Sequence, residues 1–142
     1  MTPDQQAVLE ANAAFYTALN RGSLEAMTDI WFPADWAECV HPGWTAIRGW
    51  EAIRESWRLI FDGTARVAIA ATDVRVRIIG DVAWASCLER IASADDDQIQ
   101  TSLAHATNLF VRHDGQWRMV VHHASIVPHL TPHVSAESTL VN

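Results

Sequence analysis

The sequence predicts an α+β fold, and three observations carry that prediction. Apolar residues recur at helical spacing only in the N-terminal part of the chain. Long runs with strand-like alternation fill the remainder as far as Val127. Those runs are joined by short turn signals, Gly80-Asp81, Asp95-Asp96-Asp97 and Asp114-Gly115, with no room for crossover helices. Three helices followed by a four-stranded antiparallel meander, with the helices covering one sheet face, is the architecture that fits.

The first helix opens at Pro3 and carries Val8, Leu9, Ala13, Phe15 and Leu19 at mixed three- and four-residue spacings. Asn20-Arg21-Gly22 stops it, since glycine accepts the left-handed cap conformation. Ser23 caps a second, short helix through Leu24, Met27 and Ile30, which Pro33 ends. Trp36 to His41 reads as a short inserted strand, closed by the Pro42-Gly43 turn. After Gly49, the residues Ile53, Trp57, Ile60 and Phe61 form the stripe of a third helix from Trp50 to Phe61, and Asp62-Gly63 closes it. Four strands follow: Arg66 to Ile79, Val82 to Ser93, Ile99 to His113 and Gln116 to Val127.

At 142 residues, 49% hydrophobic and 19% charged, the chain suits one soluble domain that buries a core without metal or disulfide staples. We expect a single domain over residues 1–127 and a polar C-terminal tail over 128–142. No apolar run is long enough for a membrane span, and the polar start lacks the pattern of a secretory signal, so a cytoplasmic location is expected. The net charge of −7 argues against a nucleic-acid partner, which calls for a concentrated basic surface. Cys39 and Cys87 are expected to be buried thiols. The seven histidines include no spacing that assembles three metal ligands, and no nucleotide-binding or serine-hydrolase motif occurs. Neither a metal nor a cofactor is therefore expected.

Chemistry is concentrated in the strands. Alternation places Ala83, Ala85, Cys87, Glu89 and Ile91 on one face of the second long strand. The matching residues are Ala104, Ala106, Asn108 and Phe110 on the third, and Arg118, Val120, His122, Ala124 and Ile126 on the fourth. This small-residue face suits a cavity beneath the helices, and its polar members Glu89, Asn108 and His122 can lie side by side. The other face, with Trp84, Leu88, Thr107, Leu109, Trp117, Met119, Val121 and His123, suits a dimer surface; a bulge would exchange the two sets. His122 and His123 cannot point the same way, and the pattern leaves open which one faces the cavity.

Glu89 beside His122 reads as a carboxylate orienting an imidazole that exchanges protons, with Asn108 holding a substrate carbonyl or hydroxyl. The same three side chains can equally satisfy one another as a structural network. His41, at a strand end before Pro42-Gly43, is a second candidate base, or a turn residue bonded to nearby backbone. Of the seven tryptophans, Trp57 lies on an apolar helical stripe, whereas Trp44 follows the turn and can wall or cover a pocket.

The element order, together with Gly22-Ser23-Leu24-Glu25-Ala26, Ile47-Arg48-Gly49-Trp50-Glu51-Ala52-Ile53 and Asp114-Gly115-Gln116-Trp117-Arg118, resembles the nuclear transport factor 2-like superfamily. Within it, the chain is most similar to the SnoaL-like proteins of mostly unknown function, over about residues 5–127. The resemblance implies a cone: three N-terminal helices packed in a curved, mostly antiparallel sheet that encloses a pocket, with homodimers formed through the sheet. In the ketosteroid isomerases of that superfamily a catalytic aspartate precedes proline at the strand end that His41 occupies here. Those enzymes also carry a tyrosine on the first helix that stabilises the developing enolate. Phe15 stands at that place and Tyr16 is one residue on, about 100° around the helix, a departure from the steroid-isomerase pattern.

Two functions follow as expectations. The first is a cofactor-independent enzyme performing acid-base isomerisation, cyclisation, dehydration or hydrolysis on a small apolar metabolite. Its catalytic groups would be His41, Glu89 and His122, and Phe15, Tyr16, Trp44, Trp57 and Asn108 would contact substrate. The second is a non-catalytic module for small-molecule binding or dimerisation.

Overall fold

The computed structural model describes residues 1–128, so the tail expected over 128–142 lies almost wholly outside the described residues. Helix α1 (Pro3–Arg21) begins with a capping box in which the Thr2 hydroxyl accepts from the Gln5 backbone and the Gln5 side chain accepts from the Thr2 backbone. It ends at Gly22, whose φ of 61° is the left-handed cap that a side chain would strain. Ser23 caps α2 (Leu24–Ile30) by accepting from the Ala26 backbone N–H at 3.1 Å. Helix α3 (Trp50–Asp62) buries Ile53, Ser56 and Trp57 and leaves Ile60 and Phe61 half-buried.

The sheet contains β1 (Glu38–Val40), β2 (Ile47–Arg48), β3 (Arg66–Ile79), β4 (Val82–Ala94), β5 (Ile99–His113) and β6 (Gln116–Ile126). Its order is β2-β1-β6-β5-β4-β3, curved and open, and it is mixed because β1 runs parallel to β6 while the other pairs are antiparallel. The inserted strand is shorter than Trp36 to His41, and Trp36 itself is exposed. It also has a partner that the alternation did not reveal: β2 has only two residues, too few to show a period.

The helices close over the face that carries Ala83, Ala85, Cys87 and Glu89 on β4 and Ala104, Ala106, Asn108 and Phe110 on β5, all buried. On β6 the expected face holds only in part. His122 and Ala124 point inward, but the register slips between Leu109↔Val121 and Phe110↔Met119, leaving Val120 as an extra residue. Before that bulge the alternation is inverted, so Trp117 and Met119, expected on the outer face, are buried with the core, while Arg118, expected inward, is only half-buried. The outer face keeps Trp84, Leu88, Leu109 and Val121 half-buried and His123 exposed.

Strand β3 is an edge, and helix α1 manages its exposed backbone. Asn20 Oδ1 accepts from the Ile69 N–H at 2.7 Å while Asn20 Nδ2 donates to the Ile69 carbonyl at 2.9 Å. This two-bond clamp sets the C-terminal end of α1 against the sheet. Replacing Asn20 with Ala leaves both Ile69 groups without it, and urea unfolding should show a loss of about 1–2 kcal/mol. An unchanged unfolding midpoint would contradict the clamp's contribution.

Candidate active site

Five polar side chains meet in the core between α1 and the sheet. Asn12 and Tyr16 are one helical turn apart on α1 and face the same way, and both are buried. Asn108 sits opposite His122 in the β5–β6 register, and Glu89 follows two inward positions after Ala85, the β4 partner of Asn108. Glu89 and Asn108 have no exposed surface, and His122 is only 2% exposed.

The hydrogen bonds run in one direction. The Asn108 amide nitrogen donates to Asn12 Oδ1 at 2.8 Å and to the Tyr16 hydroxyl at 3.1 Å. Tyr16 donates to Glu89 Oε2 at 2.6 Å, with the Cys87 sulfur 3.3 Å from the same hydroxyl. Asn108 Oδ1 can only accept, so His122 Nδ1, 2.6 Å away, is the donor. Neutral His122 thus carries its proton on Nδ1 and its lone pair on Nε2. Among the described residues, Glu89 Oε1 has no hydrogen-bond partner although it is buried.

This corrects the expected pairing of Glu89 with His122. Their backbone rows are four residues apart along the strands, about 13 Å, so no direct bond forms and the connection passes through Tyr16 and Asn108. Tyr16 and Asn108, expected to touch substrate, stand behind the wall as links in this chain. Phe15 is likewise internal: its ring packs 4.8 Å from His122 and 5.6 Å from Trp57.

A cavity of about 270 Å³ opens beside the chain, bordered by Glu89, His122, His41, Trp44, Trp57 and Ser102 and by aliphatic residues of α1, α3 and the sheet. His41 is held by α3. Ser56 donates its single proton to the Ile53 carbonyl at 2.6 Å, so its oxygen accepts from His41 Nε2 at 2.8 Å. The partner of His41 is therefore a side chain rather than the nearby backbone expected for a turn residue. Trp57 meets the His41 ring edge-on at 4.5 Å, and Trp44, 47% exposed, meets it from the solvent side at 4.8 Å. His41 and His122 are 6.4 Å apart between ring centres. His123 lies on the opposite sheet face, which settles the choice between neighbouring histidines.

Sequence reasoning missed Asn12 and Ser56. Each is a polar residue on the buried side of its helix, one turn from Tyr16 and one turn from Ile53 respectively, and that position was the available signal.

Burial sets the protonation of the site. Desolvation raises the Glu89 carboxyl above the usual carboxylate range, only partly opposed by the Tyr16 hydrogen bond. Desolvation lowers His41 to about 4. His122 falls to about 3 through desolvation, with smaller contributions from His41 and His123. Cys39 and Cys87 are buried free thiols, both raised chiefly by burial. Among the described residues, no group of three or more His, Cys, Asp or Glu is placed to hold a metal ion. No helix there is long and apolar enough to cross a membrane.

The fold and site define a small α+β domain in which a buried polar chain ends beside a mostly apolar cavity. The chain belongs to the SnoaL-like domain family, whose model matches residues 8–129. It is similar to a protein from Streptomyces avermitilis described as a "putative dehydratase from the NTF2-like family", at 37% identity and a TM-score of 0.82, covering 89% of this chain and 99% of that one. It is also similar to a "putative calcium/calmodulin-dependent protein kinase type II association domain" from Thiobacillus denitrificans. That match has 30% identity and a TM-score of 0.65, and covers 83% of this chain and 93% of the other. The F-box protein SKIP8 of Arabidopsis thaliana is 29% identical over 122 residues, 86% of this chain; the match spans about half of that protein's length.

Both cavity histidines have folded-state values below their ordinary 6.5, so the unfolded chain binds protons first as the pH falls. The stability they supply is complete above about pH 6.5 and is lost toward pH 3–4, on the order of 3 kcal/mol each. Glu89 acts oppositely, since its raised value favours the folded state below the ordinary carboxylate range and costs stability as the pH rises. Urea midpoints measured from pH 7 to pH 4 should fall steeply in the wild type and less in His41→Asn. Parallel profiles would contradict a buried neutral His41.

Proposed function

We propose that this protein is a cofactor-independent acid-base enzyme that removes water from a small, largely apolar hydroxycarbonyl metabolite. The observation that carries the reading is that Glu89 and His122 border one cavity, with Glu89 Oε1 buried without a partner among the described residues and the His122 lone pair on Nε2. In this reading a protonated Glu89, favoured by burial, donates and the neutral His122 imidazole accepts.

His122 Nε2 takes the proton from the carbon next to the carbonyl. The electrons of that C–H bond become the new C=C bond, and the adjacent C–O bond breaks as Glu89 protonates the departing hydroxyl. Imidazolium and carboxylate appear together, so the charges formed in the apolar cavity compensate each other. Loss of the His122 proton to water and uptake of a proton from water by Glu89, as the product leaves, restore both groups. The resemblance to the Streptomyces protein supports dehydration over the isomerisation, cyclisation and hydrolysis that the same pair can perform. His41 accepts from a substrate hydroxyl on the other side of the cavity, while Trp57 and Trp44 exclude water.

A second reading, a binding or assembly module, draws on the likeness to the kinase association domain. Incubation with a panel of small hydroxycarbonyl compounds and mass analysis of the products separates the two. The enzyme reading expects loss of one water from a bound compound, and recovery of every bound compound unchanged would favour the module. Glu89→Gln and His122→Gln should each lower turnover by about 10²–10⁴-fold with the fold intact. Activity should also fall at high pH as Glu89 ionises. Full turnover in both variants would contradict the assigned roles.

A further inference from the structure

Among the described residues, the cavity border includes two histidines, one glutamate and Ser102 but no lysine or arginine. An anion entering it meets no fixed positive charge, and the two imidazoles are neutral around pH 7. The direction of each hydrogen bond also decides what the polar atoms offer. Asn108 presents its oxygen to His122 because its nitrogen is committed to Asn12 and Tyr16; the flipped carboxamide would set oxygen against the Asn12 oxygen. Tyr16, receiving from Asn108, spends its own proton on Glu89 Oε2, which leaves Oε1 without a partner among the described residues. Ser56 fixes the His41 proton on Nε2 in the same manner and leaves its lone pair on Nδ1, with the Cys39 sulfur 3.8 Å away.

We propose that the cavity has a fixed hydrogen-bond polarity, the His122 and His41 lone pairs accepting with no cationic side chain on the border, that admits an uncharged alcohol or hydroxycarbonyl compound and refuses the corresponding carboxylate. Asn108 is the positioning residue that sets this polarity, since it alone contacts Asn12, Tyr16 and His122 together. The proposal names the ligand class of the site proposed above as catalytic, but it depends on binding and not on turnover.

Benzyl alcohol and benzoate serve as probes of similar size and opposite character. Titrations of wild-type protein at pH 7, followed by the tryptophan fluorescence of the cavity, should show benzyl alcohol binding at least about 10-fold more tightly than benzoate. Long-range proton–nitrogen spectra of 15N-labelled protein should show His122 protonated on Nδ1 and His41 on Nε2. In Asn108→Asp, the new carboxylate favours the doubly protonated His122, and the preference for benzyl alcohol should narrow or reverse. Benzoate binding as tightly as benzyl alcohol, no response to benzyl alcohol at millimolar concentration, or a His122 proton on Nε2 in the wild type would each overturn the proposal. An unchanged preference in folded Asn108→Asp would remove Asn108 from its role. Failure of the dehydration assay with this selectivity intact would leave the ligand class standing and discard only the chemistry.

Discussion

Asn108 has to satisfy three buried neighbours at once, and the arrangement around the cavity depends on its doing so. A carboxamide is one of the few side chains that donates from one end and accepts at the other, so it bonds Asn12 and Tyr16 on one side and His122 on the other without carrying charge. Its complete burial makes each lost partner costly, on the order of 1–3 kcal/mol for an unsatisfied polar group. The same burial fixes the rotamers of Tyr16 and His122, because no water competes for their bonds.

Helix α1 is held in place from several directions. Asn20 clamps its C-terminal end to edge strand β3, and Asp4 at its start accepts from Arg112 at 2.8 Å and from Trp117 Nε1 at 3.3 Å. Between those anchors, Phe15 packs on His122 while Asn12 and Tyr16 enter the polar chain. One helix therefore presents an aromatic cover and two hydrogen-bonding groups to the inward face of β4, β5 and β6. Small residues on that face, Ala83, Ala85, Ala104 and Ala106, let the helix approach closely enough for the bonds to form. The cavity begins where the polar chain ends.

The helices, the four long strands and the inward positions of Glu89 and Asn108 were legible in the sequence because periodicity is a property of the backbone, whereas the choice between His122 and His123 was not. The resemblance to SnoaL-like proteins was legible for the same reason, through turn and cap motifs at characteristic places. Two local features were not. Val120 is an apolar residue in an apolar strand, so nothing in its type marks the bulge that turns Trp117 and Met119 inward. The two-residue β2 is paired by tertiary contact and carries no period of its own.

Within the site, residue types pointed to the right positions but not to their connections. Alternation placed Glu89 and His122 on one face, yet the distance along the strands and the interposed Tyr16 come from how α1 docks, which one strand pattern does not contain. Tyr16 was singled out through its neighbour Phe15, and the structure divides the labour between them: ring packing for one and hydrogen bonding for the other.

The central claim is that the buried chain from His122 to Glu89 is uncharged at neutral pH. The carbon chemical shift of the Glu89 side-chain carboxyl, followed from pH 4 to pH 9 in selectively labelled protein, tests it most directly. A protonated-carboxyl shift that persists through pH 7 is the result this account predicts. A shift already at the ionised value by pH 6 would contradict it and remove the proton donor from the cavity wall.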